Sequence, residues 1–215
     1  MTYAPTPWRG QARMDIGWGL FVGHAGDGEP HAHHAVQVLC ADTPQWVWTA
    51  SGGRQRYVGL VIGAGVEHRL EPTMAPVTLL YVEPHSTPGR QLQHSLSEGL
   101  RALDTERMRA ARHALGDVPT SASVAASVAV IAGDEAPSDA PDVRDALMAR
   151  LIDSLPPTLP DRLTAAGLAK RVGLSESRFL HRFRDHTGLP WRPCLRWRRL
   201  RTAVTGVMVG RSLTE

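Results

Sequence analysis

The chain changes its hydrophobic pattern after Val82, and this change limits the possible folds more than any other feature of the sequence. Between residues 16 and 82, five short runs are rich in β-branched and aromatic residues: IGWGLFVG, AVQVLCA, QWVWTA, YVGLVI and VTLLYV. Turn clusters such as GDGEP, SGGR and GAG separate these runs. Short strands at close, regular spacing predict a β-sandwich or a small barrel. Because helical patterns follow, we predict an α+β protein with more than one domain.

The segment 91–115 has the hydrophobic spacing of a helix. Leu92, Leu96, Leu100 and Leu103 follow one another at intervals of four, four and three residues, which places them on one helical face. We predict a helical segment that either covers the barrel or pairs with the same segment of a second copy.

Residues 116–160 have the composition of a linker. Small residues, Pro and Asp dominate GDVPTSASVAASVAVIAGDEAPSDAP, although SVAASVAVIA is compatible with a helical turn or two. The run DVRDALMARLIDSL then predicts a short helix, and PPTLPDR interrupts the chain before residue 161.

Charge is divided unevenly between the two parts of the 215-residue chain. Residues 161–215 carry 12 Lys or Arg against 4 Asp or Glu, a net charge of +8, whereas residues 1–160 carry 12 against 17, a net charge of −5. A coding bias toward arginine would act on both parts, so it does not explain the difference. The asymmetry predicts a basic module that binds a polyanion such as DNA.

The sequence also predicts the compartment. No stretch approaches the ~18 consecutive apolar residues of a membrane span, and the N-terminus MTYAPTPWRG lacks the pattern of a secretion signal. The two cysteines, Cys40 and Cys194, lie far apart in regions of different character. Reduced thiols fit a cytoplasmic protein, and we expect no membrane contact.

The basic region contains the pattern of two short helices joined by a glycine turn. Thr164 is placed to cap a first helix, Gly173 permits the turn, and Ser175 is placed to cap a second helix. Phe179 and Phe183, one turn apart, form the ridge that the second helix buries. Two helices in this arrangement form a helix-turn-helix unit, whose second helix enters the major groove of DNA.

The face of the second helix opposite this ridge predicts the DNA contacts. At 100° per residue, Ser177, His181 and Arg184 point outward toward base edges or phosphates, and Arg178 and Arg182 lie on the flanks. The alternative is a solvated face on a structural helix pair. We favour DNA because the outward face carries several arginines and few acids. A third, strongly basic amphipathic helix follows, and its apolar stripe is expected to pack on the pair.

The segment from Leu168 to Glu215 resembles the first half of the DNA-binding domain of AraC/XylS-type regulators. The residues that carry the resemblance are Leu174, Ser175, Ser177, Arg178, Phe183, Arg184, Gly188, Leu195, Leu200, Arg201 and Ala203. In that family, the positions that match Ser177 and His181 read bases. The family domain continues with a second helix-turn-helix, whereas this sequence stops at Glu215. We therefore expect a truncated or shortened regulator, and weak or absent specific DNA binding by the monomer.

The run PHAHHAVQ, residues 30–37, contains three histidines within four positions. Histidines at positions 31 and 33 are followed by Gln37, and GAGVEHRLEP supplies His68. The β part resembles the cupin-like sensor domain of many such regulators, and cupins bind metal through this pattern with Glu where Gln37 stands. The resemblance implies a site for Zn²⁺ or Ni²⁺ formed by His31, His33 and His68, with Gln37 as a weak fourth donor.

Strand alternation leaves a second interpretation open, and a third is that the histidines form a polar strand end with no ligand role. His31, His33 and Gln37 share one face of a strand, and His34 shares the other face with Val36, Val38 and Cys40. If the second face points into the barrel, His34 lines a pocket for an organic ligand. Cys40, on the same face as His34, is then a candidate soft fourth ligand for a metal. The candidate pocket residues are His34, Cys40, Trp46, Trp48, Tyr57 and Tyr81.

Together these patterns predict four regions: a cupin-like effector-binding barrel (1–90), a helical dimerisation or cover segment (91–115), a linker with a short helix (116–160) and a helix-turn-helix half-domain (161–215). We predict a dimeric transcription regulator that binds double-stranded DNA and senses a metal or small-molecule effector. The alternative is a metal-dependent cupin enzyme of the dioxygenase or isomerase type. We expect no enzyme, because no acid or base partner is evident and the basic module would stay unexplained.

Overall fold

The computed structural model describes residues 6–133, 146–155, 163–187 and 190–208. The chain divides into two compact units, which we call the sheet unit and the helical unit. The sheet unit contains the β-strands and the first three helices, and the helical unit contains four further helices. The predicted α+β class is confirmed.

The sheet unit is built on one antiparallel sheet of seven strands. The strands are β1 (Arg9–Asp15), β2 (Trp18–His24), β3 (Val36–Thr49), β4 (Gly53–Ile62), β5 (His68–Leu70), β6 (Val77–Val82) and β7 (Leu100–Leu103). Their order is β1-β2-β6-β3-β4-β7, and β5 pairs with β3. Since β1 and β7 stand at opposite ends of this order, the described strands form an open sheet and do not close into the predicted cupin-like barrel.

Strand β3 joins two of the predicted strands into one. Its first half pairs with β6 from Val36 to Ala41, and its last residues, Val47–Thr49, pair with β5. The register against β4 shifts between Cys40 and Gln45. Such a bulge bends a long strand, and Pro44, which has no N–H for a ladder, lies within it.

Three helices belong to the sheet unit: α1 (Thr87–His94), α2 (Thr105–Leu115) and α3 (Ser121–Ala132). They bury one face of the sheet, here called the helix-covered face. Its core consists mainly of Val36, Val38, Cys40, Val61, Leu80 and Val82 from the sheet and Met108, Ala111, Val124, Val128 and Ile131 from α2 and α3. The opposite face has its own core, which includes Leu39, Ala41, Val47, Leu60, Ile62 and Leu79.

The predicted helical segment 91–115 is wrong only in its middle, between α1 and α2. Helix α1 ends at His94, and Glu98 and Gly99 then adopt positive φ angles of 52° and 80°. Leu100–Leu103 form β7, which pairs with β4. The backbone ladder and the burial of Leu103 outweigh the helical spacing of the leucines, because tertiary pairing overrides a local periodicity.

The predicted linker is also wrong in its first part. Thr120 and Ser123 form a reciprocal capping box at the start of α3, and such a box satisfies backbone N–H groups that a helix start leaves free. Val124, Val128 and Ile131 then recur on one face and are buried against the sheet. The rest of the predicted linker, apart from residues 146–155, lies outside the described residues.

The helical unit consists of α4 (Ala146–Asp153), α5 (Ala165–Arg171), α6 (Glu176–Thr187) and α7 (Trp191–Met208). The predicted caps are confirmed: Thr164 Oγ1 accepts from the Gly167 N–H at 3.1 Å, and Ser175 Oγ accepts from the Arg178 N–H at 3.3 Å. Between them Gly173 has a φ of 66°, which favours glycine. Gly188 lies outside the described residues.

Aromatic side chains form the centre of the helical unit. The rings of Phe179 and Phe183 both lie edge-on to Trp191, at centroid distances of 5.8 and 5.0 Å. Met148 of α4 and Leu168 of α5 are buried in the same core. Of the third predicted helix, Cys194 and Trp197 are buried, whereas Leu200 is 45% exposed. Across the described residues, no helix is both long enough and apolar enough to cross a bilayer.

The burial of α3 predicts how a substitution there affects stability. Ile131→Ala removes a fully buried side chain and is expected to lower the free energy of unfolding by about 2–5 kcal/mol, measured by urea titration. The control is Val118→Ala, three residues before the start of α3, where the side chain is 66% exposed. We expect a change within about 0.5 kcal/mol for the control. Equal, small effects would show that α3 is not part of the core.

Candidate functional site

Three histidines from two segments of the sheet unit meet at one point. His31 and His33 lie just before β3, and His68 begins β5. His31 and His68 exchange backbone hydrogen bonds of 3.0 and 2.9 Å, which hold the two segments together. One ligand nitrogen from each of the three rings lies within 4.8 Å of the other two. We call these residues the histidine cluster.

Backbone carbonyl groups orient all three rings. In each ring Nδ1 lies 2.9 Å from a carbonyl oxygen: His31 from Glu29, His33 from Ala35 and His68 from Val66. A carbonyl oxygen only accepts, so Nδ1 carries the proton in each case. The lone pair of each neutral ring is therefore on Nε2, which is the arrangement that second-sphere carbonyls impose on metal-binding histidines.

Gln37 completes the group. It is 3% exposed, and its Oε1 lies 2.9 Å from Nε2 of His33 and 3.2 Å from Nε2 of His68. With Nδ1 protonated on both rings, these nitrogens are acceptors and do not donate to that oxygen. Two arrangements make this contact attractive. In one, a cation lies between the three atoms. In the other, the side-chain amide is rotated by 180°, so that its NH₂ group donates to the two ring nitrogens.

Burial keeps His68, the most buried residue of the cluster, neutral. His68 is 1% exposed, and this burial lowers its pKa to about 4, with a smaller contribution from the neighbouring rings of His33 and His31. The Val66 carbonyl acts in the opposite direction. At neutral pH His68 is thus in the form that binds a metal. His31 is exposed and His33 is half-buried, so solvent reaches the cluster from one side.

The structure answers the question of strand alternation. His33 lies with Gln37, and the ring of Tyr81 stands edge-on to it at 5.4 Å. His34 points elsewhere, and its Nε2 lies 3.2 Å from Oε1 of the buried Glu83. The face with Val36, Val38 and Cys40 is the helix-covered face. His33, and not His34, therefore lies with Gln37 and His68, the buried residues of the predicted metal site.

Cys40 is placed away from the cluster. It lies in the core between the sheet and α2, and burial raises the pKa of its thiol to about 12, against a smaller opposing effect of Arg112. Cys40 is not part of the histidine cluster. A protonated thiol in an apolar core is a structural residue rather than the soft ligand that the second interpretation gave it.

The six candidate pocket residues come from β3, β4, β6 and the segment before β3. Trp46 is 38% exposed, and the guanidinium of Arg54 covers its ring at 3.7 Å. Trp48 is half-buried two residues further along β3. The hydroxyl of Tyr57 donates to Gln55 Oε1 at 3.2 Å. Tyr81 adjoins the histidine cluster, and burial raises its pKa to about 12.

Helix α6 of the helical unit has one buried and one polar face. Phe179 and Phe183 are 0% and 1% exposed. The predicted DNA-binding residues lie elsewhere on the helix, and all are exposed except Arg182, which is half-buried: Ser177, Arg178, His181, Arg182 and Arg184. We call these five residues the polar face of α6. Exposed cations also end α5, at Lys170 and Arg171.

One contact on this face was not predicted. His181 is 81% exposed in its side chain, and its Nδ1 lies 2.8 Å from Oδ2 of Asp185, one helical turn later. The spacing i, i+4 is the sequence signal that could have revealed the pair. A carboxylate on Nδ1 holds the imidazole so that Nε2 faces outward.

No protein-family model and no curated protein matches this chain. Several solved structures resemble this chain, at low sequence identity and low TM-score. Protein NMB1881 from Neisseria meningitidis is 21% identical, with a TM-score of 0.31 over 35% of this chain and 84% of that one. The AraC-like transcriptional activator CuxR is 12% identical, with a TM-score of 0.38 over 89% and 78% of the two chains.

ToxT from Vibrio cholerae O395 is 8% identical, with a TM-score of 0.39 over 92% of this chain and 85% of that one. TM-scores and identities of this size assign neither a family nor a function. The function proposed below is therefore supported by the chain's own residues.

The burial of Cys40 predicts its reactivity. With a pKa of about 12, only about one thiol in 10,000 is ionised at pH 8, and the thiolate is the reactive form. We expect Cys40 in the native protein to resist a disulfide reagent such as Ellman's reagent, and to react fully in guanidinium chloride. A Cys194→Ser variant isolates this thiol. Rapid reaction of the native variant would contradict the buried placement.

Proposed function

We propose that this chain is a DNA-binding transcription regulator that senses a metal ion or a small-molecule effector in its sheet unit. The proposal rests on the division of α6 into a buried apolar face and an exposed polar face. Its two phenylalanines are buried, while the opposite side presents Ser177, Arg178, His181 and Arg184 to solvent. A short helix that follows a tight glycine turn and presents such a face is suited to the major groove of DNA.

The charges of the helical unit support a polyanionic partner. Arg178 and Arg184 are exposed on α6, and Arg192, Arg196 and Arg199 are exposed on α7. Against these cations α6 carries the acids Glu176 and Asp185, of which Asp185 is paired with His181. Exposed arginines bind phosphate through two parallel hydrogen bonds, and most of the affinity of such a face comes from phosphate contacts.

We assign the metal-binding role to the histidine cluster with Gln37. Three neutral imidazole nitrogens and one amide oxygen are a donor set that Zn²⁺ and Ni²⁺ accept. The carbonyls that hold each Nδ1 favour the tautomer that binding requires. Since no donor is charged, a bound divalent ion keeps its full charge, which leaves it able to take an anionic ligand at an open position.

The regulatory step that we propose is a population shift in a homodimer. An effector changes DNA binding only if it prefers one of two states of the protein, and its differential affinity sets the size of the response. A regulator that binds chromosomal DNA in this way acts in the cytoplasm. Activation and repression are both compatible with this step.

A metal-dependent enzyme is the second candidate, because solvent reaches the cluster at His31 and His33. We favour sensing over catalysis for a chemical reason. In the described residues, the cluster combines imidazoles and an amide without a carboxylate. The adjacent phenol of Tyr81, with its pKa near 12, stays protonated at neutral pH and does not act as a base.

The DNA proposal predicts the effect of removing two arginines of α6. In fluorescence anisotropy with a labelled 20-base-pair duplex, Arg178→Ala/Arg184→Ala is expected to weaken binding at least tenfold at low salt. The slope of log K against log salt falls by about 2, one for each lost phosphate contact. The matched control, Arg9→Ala/Arg13→Ala, removes two exposed arginines of the sheet unit and is expected to change neither value. Equal losses in both variants would contradict a specific role of α6.

The metal proposal predicts a defined stoichiometry. Mass spectrometry of protein dialysed against Zn²⁺ is expected to find one ion per chain, and His31→Ala/His68→Ala is expected to lose it. The control, His24→Ala/His113→Ala, removes two exposed histidines outside the cluster. Because Gln37→Glu adds a negative charge to the donor set, it is expected to raise the affinity in competition with a chelator. Metal retained by the cluster variant, with its circular dichroism unchanged, would contradict the site.

A further inference from the structure

We infer that the sheet unit holds a second ligand site, for a small organic anion with an apolar body, in a groove beside helix α2. The groove has a volume of about 650 Å³, which is within the range of sites for small ligands. It lies between strands β1, β2, β3 and β6 and the C-terminal half of α2. Nothing in the proposed DNA or metal function requires it.

The groove is separate from the histidine cluster. Leu20 and Leu115 line it, and both belong to the core of the helix-covered face. The histidine cluster lies with Gln37 and Tyr81, which alternate with the residues of that face along their strands. A ligand in the groove therefore does not compete with a metal for the same donors.

The floor of the groove is apolar. Besides Leu20 and Leu115 it includes Val22, which is 43% exposed although it lies in the middle of a strand. An exposed valine beside a concave surface is apolar area that a ligand can remove from water, at a gain of about 25 cal/mol per Å². This floor calls for a ligand with a hydrocarbon or aromatic body.

The rim of the groove is cationic. Arg13 of β1 and Arg109 and His113 of α2 line it, and none of the three has an ion-pair partner among the described residues. Arg112 is different, since its Nη1 lies 2.7 Å from Oδ1 of Asp42 and the pair joins α2 to β3. Asp117 is the one acid of the rim outside this pair.

The balance of the rim favours an anion. Three arginines face two carboxylates there, a net charge of +1 without His113. Arg13 comes from the sheet and Arg109 from the helix, so their two guanidinium groups offer donors from both walls of the groove. Guanidinium groups bind carboxylate and sulfonate oxygens in a planar, two-point contact. The ligand class is accordingly an amphipathic carboxylate or sulfonate.

The test uses three probes of similar size and different charge: 4-phenylbutyrate, 4-phenylbutanol and 4-phenylbutylamine. In isothermal titration calorimetry of the full chain, we expect saturable binding of the butyrate, at least tenfold tighter than the alcohol, and no binding of the amine. Acetate carries the same charge without the apolar body, so it measures what the apolar floor contributes. Its binding is expected to be at least tenfold weaker than that of the butyrate. Equal affinities for the first three probes, or no saturable binding of the butyrate, would overturn the inference.

Substitutions of residues that line the groove test whether the ligand binds there. Arg109→Gln is expected to reduce the affinity for 4-phenylbutyrate to that for the alcohol, and Val22→Asp is expected to abolish binding of both. Arg9→Gln is the control, because Arg9 is an exposed arginine of the same strand as Arg13 outside the groove. Both altered residues are exposed, so folding is expected to be retained and is checked by circular dichroism. A loss in Arg9→Gln equal to that in Arg109→Gln would contradict this location.

Discussion

The alternation of side chains along β3 is the constraint on which the sheet unit depends. Val36, Val38 and Cys40 pack under α2 and α3, so Gln37, between the two valines, is directed to the opposite face. There it meets His33 from the approach to the strand and His68 from β5. A shift of one residue in the pairing of β3 would exchange the two faces, removing the valines from the core and separating Gln37 from the histidines. The hydrophobic core therefore holds Gln37 in position beside His33 and His68.

The helical unit depends in a similar way on a small number of buried side chains. Phe179 and Phe183 pack against Trp191, and this packing fixes the rotation of α6 about its axis. The rotation decides which residues are exposed, and so places Arg178, His181 and Arg184 on the outside. The same sequence spacing that builds the core thus builds the polar face, as in any amphipathic helix.

Patterns of burial and capping were readable from the sequence where a local signal and the tertiary structure agree. The glycine turn and the caps of Thr164 and Ser175 are of this kind, and so are the strands of the helix-covered face. Predictions failed where long-range pairing decided the outcome. Leu100–Leu103 have helical spacing but pair with β4, and α3 has small, apolar residues all round, which resemble a linker until the sheet beneath them is known.

The candidate metal site was foreseeable in its residue types but not in its geometry. The resemblance of His31, His33, Gln37 and His68 to a known metal-binding pattern implied a shared ligand set. The three carbonyls that hold each Nδ1 depend on loop conformation, which no spacing in the sequence encodes. The choice between His33 and His34 also required the structure, because it depends on which face of β3 the helices cover.

The central claim is that the sheet unit and the helical unit act as parts of one regulator. The most direct measurement is the affinity of the full chain for a DNA duplex, first stripped of metal with a chelator and then with one equivalent of Zn²⁺, at fixed salt. Coupling free energies between regulatory sites are typically about 1–3 kcal/mol, so we expect the two affinities to differ by at least about fivefold. The His31→Ala/His68→Ala variant should show no difference. Identical affinities of the unaltered chain, with zinc binding demonstrated in the same sample, would contradict the account.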